Sequence, residues 1–184
     1  MAANEPGQPD PSPSLISHDL PTPTSALAIG AHPDDVEFGC GATLAKWAAA
    51  GCLVHHLVLT DGSKGTWNAS ADVAALIATR RHEQRAAARL LAGERAGEVV
   101  FLGEVDGELA NSLALRGEVA RVIRMLRPQV ILAHDPWKHY RLHPDHREAG
   151  LLACDGIVAA RDPHFNKEHG LAPHRPDALL LWEA

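Results

Sequence analysis

Residues Ala26 to Cys40 read ALAIGAHPDDVEFGC. The first six form a continuous apolar run of strand length, suited to a strand buried on both faces. Directly after it comes a dense polar cluster, His32-Pro33-Asp34-Asp35-Val36-Glu37. An apolar strand that discharges into histidine and carboxylates is the arrangement expected where a parallel sheet presents a ligand site.

Working outward, strand and helix signals alternate. Gly41 to Ala50 is alanine-rich and ends at Gly51, a helix-stop signal; Leu53 to Thr60 is a second strand ending at an Asp61-Gly62 turn. Asp72 to Leu91 reads as a long helix and Glu98 to Leu102 as a strand. Leu113 to Leu126 places Val119, Val122, Ile123 and Leu126 on one helical face, and Pro128 stops it. Val130 to Ala133 is a strand, His143 to Ala160 a helix with Pro144 in its first turn, and Ala178 to Trp182 a last strand. This β-α-β-α-β-α-β-α-β order predicts an α/β, Rossmann-like three-layer sandwich with a mostly parallel sheet, order 3-2-1-4-5. The first and fourth strands are then neighbours at the switch point, so chemistry is expected just after Ala31 and just after Ala133.

Composition narrows the classes. The chain has 184 residues, 46% hydrophobic and 22% charged, with a net charge of −6, which suits one globular domain and argues against nucleic acid as partner. No apolar run approaches the ~20 residues of a membrane span. The three cysteines, Cys40, Cys52 and Cys154, lack CxxC spacing, which disfavours a disulfide framework or a cysteine-built zinc site and fits a reducing cytoplasm. Six of the 13 prolines fall within the first 23 residues, so residues 1–24 are expected to be a disordered Pro-rich tail before a domain over 25–184.

The second expected position is also polar: His134-Asp135-Pro136, then His139 and His143-Pro144-Asp145-His146. Zinc accepts imidazole nitrogen and carboxylate oxygen, and a catalytic zinc keeps three protein ligands and one open position. Neighbouring Asp34 and Asp35 side chains point in different directions, so one can bind metal while the other serves as base. Alone, either cluster is ordinary cap or turn chemistry; together, at the two places the topology selects, they point to a site. Trp47, Cys40 and Cys52 read as packing. His55 and His56 alternate along a strand, so at most one is expected to face the core. Gly39-Cys40-Gly41 is a weak opening of a dinucleotide fingerprint, whose third glycine would fall at Leu44.

His32-Pro33-Asp34-Asp35 with Glu37 and Gly39, then His143-Pro144-Asp145-His146, resemble the two signatures of the LmbE/PIG-L family of zinc-dependent N-deacetylases. Thr60-Asp61-Gly62, Arg80-x-x-Glu83, Phe101-Leu102-Gly103 and Asp106-Gly107 match that family's order. The resemblance implies a hydrolase that removes an N-acetyl group from an amino-sugar-like small molecule. Zn2+ would be held by His32, Asp35 and His146. Asp34 would be the base that activates the zinc-bound water, His143 the cation near the developing oxyanion and the acid for the leaving amine, and Asp145 the group orienting His143. Arg80 and Asp106 resemble positions that contact sugar. Where some members carry a tyrosine two residues before the first histidine of HPDH, this chain has Arg141, with Tyr140 adjacent. Family chains commonly continue past the last strand, so a domain without the family's C-terminal part, binding zinc but turning over weakly, is one competing expectation. A nucleotide-binding module is the other, and a homo-oligomer that completes the pocket is a further expectation.

Overall fold

A computed structural model of the chain describes residues 20–138 and 142–183. The elements run β1 (Ser25–Gly30), α1 (Asp35–Ala49), β2 (Leu53–Thr60), α2 (Val73–Ala92), β3 (Ala96–Glu104), α3 (Leu113–Leu126), β4 (Val130–His134), α4 (Pro144–Arg161) and β5 (Ala178–Trp182), with short 3-10 turns at Gly93–Arg95 and Lys167–His169. The five strands form one sheet in the order β3-β2-β1-β4-β5, and every pairing is parallel. The expected topology is therefore the observed one.

Strand periodicity divides the core into two layers. Leu27 and Ile29 of β1, Leu57 and Leu59 of β2, and Ile131 and Ala133 of β4 pack under Val119, Val122, Ile123 and Leu152 of α3 and α4. Their alternates Ala26, Ala28, Val54, Val130 and Leu132 pack against Val36, Leu44 and Trp47 of α1 and against Trp182. Each fully buried Leu or Ile contributes about 1.5–3 kcal/mol, so both layers matter to stability. Gly39 is where α1 meets β5: a Cβ there would run into the Trp182 indole. Gly39-Cys40-Gly41 thus serves helix packing inside α1 rather than opening a phosphate loop.

Two local expectations are corrected. The first helix begins at Asp35, not Gly41, because the polar cluster itself forms its first turn, with Asp34 as N-cap. Both His55 and His56 are buried, 5% and 0% exposed. As an interior strand covered on both faces, β2 has no solvent side. His55 Nδ1 accepts the Glu98 N–H at 3.0 Å, which satisfies it where it lies.

The expected tail lies outside the described residues as far as residue 19. Its last residue, Thr24, is tied down just before β1: its N–H and hydroxyl donate to Gln129 Oε1 at 2.8 and 3.2 Å. No helix among the described residues is long and apolar enough to cross a membrane.

Candidate active site

The C-terminal ends of β1 and β4 lie side by side, with Ile29 paired to Ala133. The loops that leave these two strands therefore meet. Thr60, ending β2, fixes the β1 exit by donating its N–H and hydroxyl to the Ala31 carbonyl, both at 2.8 Å. From β1 the chain turns through His32 to Asp34 into α1. From β4 it continues beyond Asp135, and it re-enters through His143, the N-cap of α4, whose Nδ1 accepts the Asp145 N–H at 3.3 Å. Pro144 at the first turn leaves no N–H to satisfy. His139, Tyr140 and Arg141 lie outside the described residues.

The residues expected from sequence converge. His32 Nδ1 is 3.4 Å from Asp35 Oδ2, and His146 Nε2 is 3.3 Å from Asp35 Oδ1. His32, His143 and His146 each offer a ring nitrogen within 4.8 Å of the others. Tetrahedral zinc with bonds of about 2.0–2.1 Å holds its donor atoms about 3.4 Å apart. His32 and His146 thus each bring an imidazole nitrogen to about that distance from Asp35, though on opposite oxygens of its carboxylate, and Asp35, His134 and His146 form a second group of donors within 4.8 Å of one another.

Asp35 is held as a carboxylate. Burial pushes its carboxyl up, but hydrogen bonds with His134, His146 and His32 outweigh burial and hold it far below the usual range. The His32 N–H also donates to Asp35 Oδ2 at 2.7 Å. For His32, burial lowers the pKa, yet the hydrogen bond and charge of Asp35, with Asp106 and Asp145, raise it to about 8. A proton held there in the metal-free protein is one that a cation would displace. Partial burial and then the charge on His32 hold His143 below its ordinary range, against the opposing pull of Asp145 and Asp106.

Three of the expected residues are held by specific partners. The Asp145 carboxylate, which the resemblance assigns to orienting His143, lies against His32, Oδ2 to Nε2 at 3.2 Å. The same oxygen accepts the Gly107 N–H at 2.7 Å, and Oδ1 accepts the Leu109 N–H at 3.3 Å. The physical reason is the helix start: Asp145 sits in the first turn of α4, turned inward to the loop after β3, while His143 caps from outside. Gly107 has φ 78°, a backbone that few side-chain-bearing residues adopt, and this lets its N–H reach the carboxylate. Asp106 lines the cleft but lies beneath His32: Oδ1 is 3.2 Å from Nε2, and Oδ2 accepts the Lys64 N–H at 3.0 Å. Arg80 also lines the cleft, and its guanidinium is engaged by Asp34 Oδ2 at 2.7 Å and the Pro33 carbonyl at 2.6 Å.

Two residues carry no role on sequence grounds yet belong to the site. His134, the last residue of β4 and fully buried, lies 3.1 Å from Asp35 Oδ2 and stacks on His146 with ring centroids 4.3 Å apart. Its signal is its place at the end of the strand beside β1. Gln84 on α2 is buried against the Asp34 turn, and no sequence signal marks it. The cleft over this cluster measures about 380 Å³, within the range of small-molecule sites, and is also lined by Gly62, Lys64 and Gly65.

Fold and site together define a doubly wound α/β protein with a candidate metal centre at its switch point. Residues 27–156 match the PIG-L family, described as GlcNAc-PI de-N-acetylase, and the chain belongs to that family. It is 37% identical over 156 residues to the diacetylchitobiose deacetylase of Thermococcus kodakarensis, covering 83% of this chain and 57% of that protein. It is 45% identical over 143 residues to the uncharacterized deacetylase YaiS of Escherichia coli, covering 71% of this chain and 68% of that protein. The structure superposes on N,N'-diacetylchitobiose deacetylase from Pyrococcus horikoshii with a TM-score of 0.83 and 32% identity, covering 88% of this chain and 61% of that one. The chain thus spans under two thirds of the length of both diacetylchitobiose deacetylases.

Proposed function

We propose that this chain hydrolyses the amide of an N-acetylated amino sugar, releasing acetate and a primary amine, with zinc held by His32, Asp35 and His146. One observation carries the reading: the imidazoles of His32 and His146 flank the Asp35 carboxylate at 3.4 and 3.3 Å, in a cleft shared with a second carboxylate, Asp34, that is not among those proposed ligands. The family's named activities and those of the relatives support the same reaction class.

Zinc, when bound, supplies a Lewis acid that polarises the amide carbonyl and lowers the pKa of water. The chain's own residues supply the rest. Asp34 takes a proton from the attacking water as oxygen adds to the acyl carbon; its carboxylate is aimed by Arg80, 2.7 Å away. Asp145 and Asp106 accept from His32 Nε2, which leaves Nδ1 facing Asp35 with its lone pair. His143, whose ring centroid is 4.6 Å from that of His32, stands over the cleft to protonate the departing nitrogen. Its depressed pKa makes it a ready donor once it has gained a proton. Water is split across the C–N bond: hydroxyl to the acetyl carbon, hydrogen to nitrogen.

The test is acetate release from N,N'-diacetylchitobiose by chelator-treated protein as zinc is returned. Turnover should rise with zinc and level off near one equivalent. Equal turnover with and without metal, or none with either, would defeat the proposal.

A further inference from the structure

Asp34 has a backbone unlike that of its neighbours. Its φ is 97° and ψ −23°, in a region where a residue with a side chain is strained by about 1–3 kcal/mol. Such a conformation persists only where surrounding contacts impose it. Three do. The Asp34 carbonyl accepts the Phe38 N–H at 3.1 Å as α1 begins. Its carboxylate accepts from Arg80 Nη2 at 2.7 Å, and its N–H donates to Gln84 Oε1 at 2.7 Å. Arg80 and Gln84 are one helical turn apart on α2, so a single helix face grips the turn at both its side chain and its backbone.

The Gln84 amide is itself held in one orientation. It is 2% exposed, and its Nε2 donates to Glu37 Oε1 at 2.8 Å and to His56 Nδ1 at 3.0 Å. Flipped, the amide would turn its NH2 toward the Asp34 N–H, donor against donor, so the observed orientation is the one the contacts permit. Burial lowers His56 to about 4, which keeps its imidazole neutral, and facing an NH2 group that can only donate, its Nδ1 is the acceptor.

We propose that Gln84 is a positioning residue for the reaction: its buried amide oxygen holds the Asp34 N–H, fixes the positive-φ turn and so aims the Asp34 carboxylate into the cleft. This rests on the assignment of Asp34 as the base. The hydrogen bonds of the Gln84 side chain go to Asp34, Glu37 and His56, none of them a ligand of the proposed metal site. Its action on the base passes through the Asp34 backbone.

The test uses the full chain, loaded with zinc, with N,N'-diacetylchitobiose as probe. Gln84→Leu removes the acceptor and should lower kcat by about 10–100-fold, as expected for lost support or ångström-scale misplacement, with KM and zinc content little changed. Gln84→Glu keeps an acceptor oxygen, though beside Glu37, and should recover at least part of that loss. In an Asp34→Asn background the Gln84→Leu loss should shrink to less than about threefold, because the group being aimed is already gone. A merely structural Gln84 would cost the same factor in both backgrounds, and that result overturns the proposal. An Asp34→Asn protein with full turnover would instead overturn the base assignment on which it rests. A crystal structure of Gln84→Leu reads the same point without turnover: Asp34 should leave its positive-φ turn, and finding it unmoved, carboxylate still on Arg80, refutes the positioning role.

Discussion

Asp145→Asn separates two roles that a carboxylate in the HPDH stretch could play. The side chain is fully buried, and Oδ2 joins His32 Nε2 at 3.2 Å to the Gly107 N–H at 2.7 Å. An asparagine of the same shape keeps one acceptor oxygen for Gly107 or His32, but loses the charge that makes His32 a stronger donor to metal. Losing an outer carboxylate of this kind typically weakens metal binding about 10–100-fold, or about 1.4–2.7 kcal/mol. Asp106 Oδ1 remains 3.2 Å from the same His32 nitrogen, so the loss should fall toward the lower end. Zinc affinity measured by competition with a chromophoric chelator is the assay, with kcat measured separately at saturating zinc. If affinity stays within twofold while kcat collapses, the carboxylate serves His143 and the geometric argument is wrong.

Other contacts carry outcomes of their own. His143→Ala should retain zinc and lower kcat more than it raises KM, since the group acts on charge that appears at the transition state; a pure KM effect would place it in binding. Arg124 is 3% exposed and donates to five carbonyls, those of Ala159, Ala160, Asp162, Phe165 and Asn166, so Arg124→Met should destabilise the fold by about 3–5 kcal/mol in urea titration. Burial lowers His56 to about 4 from an ordinary 6.5, so the unfolded chain takes the proton first. The His56 contribution to the stability of metal-free protein should therefore fall by about 3 kcal/mol as pH drops from 6.5 to 4, and be constant above that window. His56→Asn should flatten the slope between those limits, and an unchanged slope would contradict it.

The strand order is legible because buried parallel strands carry their own mark, unbroken apolar runs such as ALAIGA and VILA, and because right-handed crossovers leave few orders. The same reasoning places the site, since the ends of neighbouring strands must share surroundings. Topology says only that the two polar clusters meet; His32, Asp35 and His146 are singled out within them by the resemblance to the LmbE/PIG-L signatures. It does not say which carboxylate faces which imidazole. Asp145 points to His32 through a backbone turn at Gly107, contributed by the loop after β3. Arg80 points to Asp34 because α2 packs on α1 at one rotation, something helical periodicity with so many alanines does not specify. Gln84 is invisible for a related reason: a buried glutamine on a helix has no pattern of its own, and its meaning lies in the N–H it satisfies.

The central claim is a zinc centre built from two imidazoles and one carboxylate. X-ray absorption at the zinc edge of the loaded protein tests it most directly. The account predicts one zinc per chain, with nitrogen and oxygen neighbours at about 2.0–2.2 Å, two of them imidazoles, and loss of one imidazole signal in His146→Ala. Sulfur scattering at about 2.3 Å, or a spectrum unchanged in His146→Ala, would contradict it.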